Sequence, residues 1–414
     1  MLGGAWLFVT FVLLVGAIAL QQVLLLLVAL LFFTASGVAR LWAHYALERV
    51  VYGRGLSANR AFFGDTIVLD TRLANSKILP LPWIHVRDEV PQDLTFLRHK
   101  TSPAHRQGRA ILSNLFSLGW YHRITRRYSV QCLKRGYFTF GPANIRSGDL
   151  FGFFDKATTE EKLDYLLVYP RIVPLEDLGI PSKAPLGDIH VRRHLFDDPV
   201  RVVTTREYAP GDPLKNIHWK ATARLGRLQS RTFEPTTTVD IALFLDVRTV
   251  EAPIWGRVEQ LLETAVIATA SIVNHAVRNG YRAGLYVNEP YLFKQGLIKL
   301  PSSDHPDQLQ RVLEALAQVQ GWPALPLEQL LNREARNVHG AATLAVVTAE
   351  LSESLLASLH RFRRAGRRVV LVLVGEQWRG VSLGSIPVYH VSDRVDWRDL
   401  ESVQLDQVRQ EEQR

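Results

Sequence analysis

Residues 1–39 contain no Asp, Glu, Lys or Arg, and the first charged side chain is Arg40. The whole formal charge of +9 therefore lies on the rest of the chain. As one straight helix, Leu2–Ala39 would run about 57 Å, while the hydrocarbon core of a bilayer is about 30 Å thick. A single crossing cannot use that length. Gln21-Gln22 is the strongly polar pair that divides the run. The pattern predicts a transmembrane helical hairpin within residues 1–47: 2–20 outward, a tight turn at the glutamines, and 23–39 back. The second helix is expected to continue through Arg40 to Tyr45, with Trp42 and Tyr45 in the interfacial belt.

A cleaved signal peptide would need a basic leader and a much shorter apolar run, and neither is present. Arg40, Arg49, Arg54 and Arg60 follow the second helix, so the positive-inside rule puts the large polar remainder in the cytoplasm. The lipid bilayer is then the first partner. Cys132 is the only cysteine. No internal disulfide can form, and its apolar-polar setting predicts a buried small residue.

Residues 48–175 read as an antiparallel β-sandwich. The segments 66–73, 83–88 and 126–133 carry period-two patterning. Turn chemistry separates them at Pro80-Leu81-Pro82, Arg135-Gly136, Gly141-Pro142 and Ser147-Gly148-Asp149. His99–Gly108 is polar and basic and reads as a long hairpin loop. From 237 to 400 the period changes. Short apolar strands at 239–245, 281–287, 343–348 and 368–374 alternate with helical patterns, one of them from Val258 to Ala276. That alternation predicts a parallel sheet covered on both faces. Asn279-Gly280 and Gly366 mark helix ends. Residues 401–414 form a polar tail, expected to be a frayed helix.

Between the two, 176–236 is a linker with an unusual core. Glu207 to Pro235 reads EYAPGDPLKNIHWKATARLGRLQSRTFEP, too dense in Gly, Pro, Asn, His, Trp and Arg for ordinary filler. Gly211-Asp212-Pro213, Asn216-Ile217-His218-Trp219-Lys220 and Arg224 together resemble the signature of the domain of unknown function 58 (DUF58) family. The Arg-Gly-Tyr and Asp-Leu-Phe-Gly pieces of the β region also resemble that family. Its members are membrane-anchored bacterial proteins, usually encoded near MoxR-type AAA+ ATPases. The resemblance implies an inner-membrane location, a MoxR-type partner and a cell-envelope setting. It also implies that 237–400 is a von Willebrand factor A-like, Rossmann-like domain.

Such domains often hold Mg²⁺ through an Asp-x-Ser-x-Ser run, whose alternate positions face the same way. The matching run here is Asp246-Val247-Arg248-Thr249-Val250. The carboxylate is present, and both serine positions are lost. Ala349 stands where a further acid is expected, with Glu350 one residue off. The expectation is a degenerate site with no metal or other cofactor. Arg248 either neutralises Asp246 in place of a cation or points to solvent.

The signature segment supports three readings. His218 could be a general base oriented by Asp212 or Glu207, although no nucleophile elbow, zinc-protease motif, Walker A or GxGxxG accompanies it. Lys215, Lys220, Arg224, Arg227 and Arg231 could hold an anion or nucleic acid, although no RNA-binding aromatic motif or zinc spacing is present. Alternatively, Asp212, Asn216 and His218 pin a domain junction, with Trp219 buried there and the charged residues presented to a partner. The third reading is favoured. It makes the protein a membrane-anchored, non-catalytic adaptor or assembly factor, not an enzyme or a nucleic-acid binder.

Overall fold

The computed structural model describes residues 2–152, 154–176, 202–207, 218–233, 240–250, 257–340, 342–379, 381, 383–384 and 386–407. The chain divides into two compact units, Met1–Arg171 with Leu313–Gln318, and Ile172–Val312 with Val319–Arg414.

In the first unit, helices α1 (Leu2–Ala19) and α2 (Val23–Ala46) flank a turn in which Gln21 takes a φ of 49°. The aromatic rings of Phe11 and Phe33 lie 6.4 Å apart across the pair. Ala29, Ser36, Ala39, Ala43 and Ala46 are buried on α2, small residues that allow close approach of a neighbouring backbone. Among the described residues, α2 is the one helix long and apolar enough to cross a membrane. Its 24 residues span about 36 Å.

The strand Val50–Leu56 begins four residues after α2 ends. It pairs with Thr66–Asn75, which pairs with Arg123–Gln131, and Thr95–Phe96 completes that sheet. A second sheet has the order Asp155–Glu160, Ala143–Gly148, Leu81–Pro91, Arg109–Leu118, Ser102–Pro103. Ser102–Pro103 is a short strand inside the expected long loop. A third sheet joins Arg60–Ala61, Asp164–Val168 and Gly136–Phe140. Alternation sets the packing: Ile67, Leu69, Thr71, Leu73 and Asn75 all face inward. Leu69, Val90, Leu112, Tyr128, Phe140 and Leu166 come from all three sheets and share one core. A second core packs Ala46 of α2 against Leu73, Leu81, Ile84 and Phe116, so the helix end is part of the β fold. Cys132 is buried in the first of these cores, as its pattern predicts, and burial pushes its thiol up to about 11.

One polar network runs through this apolar interior. The side chains of Arg54 and Asp88 are each 1% exposed and are joined at 2.6 Å. Tyr52 donates its hydroxyl to the other Asp88 oxygen at 2.6 Å. Arg54 Nε donates to Asp164 at 3.1 Å, and its Nη2 to the Lys162 carbonyl. Desolvation raises the pKa of Asp88, and Arg54 opposes that rise. Arg54 is one of the four arginines expected to orient the anchor. It is instead an interior cation, because its guanidinium is held by inward-facing acids, so it says nothing about the membrane surface.

In the second unit, a seven-stranded sheet has the order Leu297–Ser303, Arg282–Pro290, Asp240–Leu245, Thr343–Thr348, Arg368–Val374, Val388–Val391, Asp406–Gln407. The five central strands are parallel, and the two edge strands run antiparallel to their neighbours. Ala242 and Phe244 share a core with Leu327, Leu330 and Leu331 of α6 (Leu327–Glu334) and with Leu355 and Leu359 of α7 (Glu353–Arg364). Helix α4 (Glu259–Arg278) lies outside that core, yet most of its residues are buried. Every residue of Asp240–Leu245 is buried, as a strand covered on both faces requires. Helix α5 spans Gln308–Gln318.

The C-terminal tail differs from expectation. Residues 403–407 are extended: Val403–Gln404 pairs with Leu175–Glu176, and Asp406–Gln407 pairs with Val388–Val391. Val403 and Leu405 are buried. That alternation of apolar and polar residues has period two, which suits a strand and not a helix. In the linker, Val202–Glu207 and Gln229–Phe233 form an antiparallel pair, with helix α3 (Trp219–Leu225) between them in sequence.

Asp88→Ala should destabilise the β unit by about 3–5 kcal/mol, because it leaves a buried guanidinium without its carboxylate. The pair Arg54→Met with Asp88→Leu should cost much less. Thermal unfolding of the detergent-solubilised chain and its variants measures both. Equal losses would mean that the network is not a mutually satisfied unit.

Candidate functional site

Three neighbouring parallel strands end in a polar residue on one edge of the sheet: Asp246 directly after Asp240–Leu245, Asn288 near the end of Arg282–Pro290, and Thr348 closing Thr343–Thr348. Parallel pairing aligns these ends, with Leu245 beside Val287 and Val347. Asp246 is 1% exposed. Its Oδ1 accepts from the Arg248 backbone N–H at 3.0 Å and from Asn288 Nδ2 at 2.8 Å. Its Oδ2 lies 3.2 Å from Thr348 Oγ1, whose single proton is shared with the Glu350 carbonyl at 2.7 Å. Asn288 is tied in turn: its Oδ1 accepts from Val247 N–H at 3.0 Å, and its Nδ2 also reaches the Leu325 carbonyl at 3.2 Å.

Arg248 does not point freely into solvent. Its side chain is 19% exposed, with Nη2 3.7 Å from Asp246 Oδ2. That is an ion pair without hydrogen-bond geometry. Among the described residues, Nε and Nη2 of Arg248 are buried without a hydrogen-bond partner. Burial raises the pKa of Asp246, and the Arg248 backbone and charge, Asn288 and Thr348 each pull it back.

This donor set does not fit Mg²⁺. A hard dication needs several oxygen ligands at roughly 2.0–2.1 Å. Here the carboxylate oxygens already take donors from the chain, and a guanidinium faces one of them. Among the described residues, no three His, Cys, Asp or Glu side chains converge on a common point. Asn288 and Thr348 were missed from the sequence. A signal was available, since each is the first polar residue after a buried parallel run, as Asp246 is.

Within the signature, Gly211, Asp212, Lys215 and Asn216 lie outside the described residues. His218 is the N-cap of α3: its Nδ1 accepts from the Ala221 N–H at 3.1 Å. Its own N–H donates to the Gln229 carbonyl at 2.7 Å. Gly226 ends the helix with a φ of 66°, a conformation that glycine adopts at no steric cost. Trp219 is not buried as expected; it is 68% exposed. It is the first residue of a seven-residue helix with no buried residue, so its ring has no core to enter. Lys220 and Arg224 of the same helix are exposed too.

Two outcomes follow from this geometry. Millimolar Mg²⁺ should leave the melting temperature of the chain unchanged; a saturable rise that Asp246→Ala abolishes would show a working metal site. His218→Ala should weaken protection of the α3 amides by about 1 kcal/mol, whereas His218→Asn, itself a good cap, should retain it. Hydrogen exchange at Ala221 reads the difference, and equal protection in both variants would remove the capping role.

Residues 204–409 match the family model described as protein of unknown function DUF58. The uncharacterized protein YeaD of Bacillus subtilis (strain 168) is 25% identical over 351 residues, covering 82% of this chain and 79% of its own. Among solved structures, the CARDB domain of a Pyrococcus furiosus protein matches at 10% identity, over 30% of this chain and 96% of its own, with a TM-score of 0.21. A non-cellulosomal cohesin from Archaeoglobus fulgidus matches at 9% identity, over 29% and 91%, with a TM-score of 0.20. Scores this low carry no argument about fold or function. Residues 204–409 are thus similar to the DUF58 family, and the Bacillus relative extends similarity over most of the chain.

Proposed function

We propose that the chain is a membrane-anchored, non-catalytic adaptor or assembly factor. It is held by a two-helix anchor in a bacterial inner membrane and presents a cytoplasmic von Willebrand factor A-like domain to a partner. The observation that carries this reading is the state of Asp246. Its oxygens serve the Arg248 N–H, Asn288 and Thr348, and a group so engaged ties strand ends together instead of acting on a substrate. The parallel order of the central strands, with α4, α6 and α7 against them, supports the von Willebrand factor A-like assignment.

The partner proposed is a MoxR-type AAA+ ATPase, and the support for it is the resemblance of the 207–235 signature to the DUF58 family. Helix α3 is proposed as part of the docking surface. Trp219, Lys220 and Arg224 are all exposed on this one short helix, and Trp and Arg dominate the binding energy of protein interfaces. With His218 capping the helix through Nδ1, its place in this reading is to hold that surface in shape.

The test is affinity capture of the tagged full-length chain from detergent-solubilised membranes, with mass spectrometry of what accompanies it. An AAA+ ATPase should co-purify, and Trp219→Ala should weaken its binding by about 2 kcal/mol, roughly thirty-fold. Capture that yields no ATPase, or an ATPase retained equally by Trp219→Ala with Arg224→Glu, would overturn the corresponding part of the proposal.

A further inference from the structure

One end of the β unit carries exposed apolar side chains that its own core does not explain. Pairing places that end. Val50, just after α2, lies opposite Asn75. Asn75 donates its N–H to the His122 carbonyl at 2.9 Å, and its side chain bonds the carbonyls of Leu79 and Gly119. Leu81 pairs with Leu118, and Ile84 with Ser147. The connections 76–80, 119–122 and 149–152 therefore sit together, at the end where α2 enters the fold. Lys77 Nζ seals the junction, donating to the carbonyls of Ala46 and Glu48 at the end of the helix. Lys156 Nζ reaches the His44 carbonyl at 3.3 Å.

Each connection presents a large apolar group: Ile78 on the first, Trp120 and Tyr121 on the second, and Leu150 on the third, all 63–70% exposed. Tyr121 takes a φ of 47°, a region that costs a bulky side chain free energy and usually goes to Gly or Asn at a hairpin tip. The chain places two adjacent aromatics there instead. Local strain combined with exposed aromatic surface marks function more often than stability.

The surrounding charge is mostly basic. Arg49, His122 and Arg123 are exposed at this end and Lys77 is half-buried. Of the nearby acids, Glu48 is exposed and Asp155 is paired with Arg146 at 2.5 Å. The depth also agrees. If Arg40 marks the edge of the hydrocarbon, the helix from Arg40 to Ala46 rises about 9 Å, comparable with the headgroup layer, roughly 5–8 Å on each side. The connections at Ala46 are then level with the outer headgroups, where Trp, Tyr and basic side chains concentrate.

We propose that this end of the β unit is a lipid-contacting rim, with Ile78, Trp120, Tyr121 and Leu150 packed into the headgroup region of the bilayer that α2 crosses. The rim rests on the anchor reading above and deepens it. With the rim seated, the β unit is held at a defined height and orientation on the membrane and does not swing on the helix.

The experiment uses the full-length chain in vesicles of phosphatidylethanolamine and phosphatidylglycerol, with one nitroxide label per variant. Cys132 is buried, so unsubstituted protein serves as the labelling control. Labels go on Trp120→Cys and Leu150→Cys at the rim, Gln107→Cys in the connection at the opposite end of the strands, and Leu30→Cys within α2. Leu150→Cys gives a separate reading if Trp120→Cys disturbs the hairpin. Expected is faster relaxation with oxygen than with an aqueous nickel complex at 30, 120 and 150, and the reverse at 107. Water access at 120 and 150 with lipid access at 30 overturns the rim and leaves the anchor standing. Shielding from both reagents at 120 and 150 overturns it in favour of a protein partner. Water access at 30 overturns the anchor and the rim together.

Discussion

A carboxylate removed from water keeps its charge only where hydrogen-bond donors and a counter-charge replace the solvent. Both units are organised around that requirement. Asp88 meets it with Arg54 and Tyr52 inside the sandwich. Asp246 meets it with the Arg248 N–H, Asn288 and Thr348, with the Arg248 guanidinium held close by. Tyr52 and Arg54 lie on a different strand from Asp88, and Asn288 and Thr348 on the two strands that flank the one ending before Asp246, so satisfying the charge also fixes which strands lie together. The apolar cores supply most of the free energy of folding. The buried carboxylates add a condition on geometry that apolar contacts alone do not impose.

That condition bears on chemistry. A carboxylate at the C-terminal edge of a parallel sheet is well placed to meet a ligand, because crevices open outside such strand ends. Asp246 occupies that place, but its lone pairs are directed into the protein. The capacity for recognition is accordingly sought at exposed side chains, among them Trp219 with its basic neighbours and the aromatic tip at Trp120-Tyr121. Aromatic and basic groups of this kind suit protein and lipid surfaces, where large area and charge count for more than a reactive group.

Much of the architecture is legible in the sequence. The charge-free run broken at Gln21-Gln22 became α1 and α2, and the apolar runs near 240, 282, 343 and 368 became parallel strands. These are periodic signals, set by which side chains can face water. Less was legible where meaning depends on a distant partner. Arg54 read as a surface charge near the membrane and is an interior cation, because Asp88 and Asp164 lie 34 and 110 residues away in sequence. The tail reads as a frayed helix and supplies two short strands, because Leu175–Glu176, far back in the chain, and the sheet strand Val388–Val391 accept it. Trp219 read as a buried junction residue, and no element of α3 offers it a core.

The sequence alone determined the apolar N-terminus, the β-to-α/β order of the chain, the absence of serine at 248 and 250 after Asp246, and the similarity of residues 204–409 to the DUF58 family. These follow from composition, period and local spacing, which need no partner to be read. Only the tertiary structure decided that Asn288 and Thr348 satisfy Asp246, that His218 caps a helix through Nδ1, and that three separate connections gather their apolar side chains around the end of α2. The physical reason is that hydrogen bonds and exposed patches belong to sets of residues brought together across strands, and strand pairing is a non-local property that no single stretch of sequence contains.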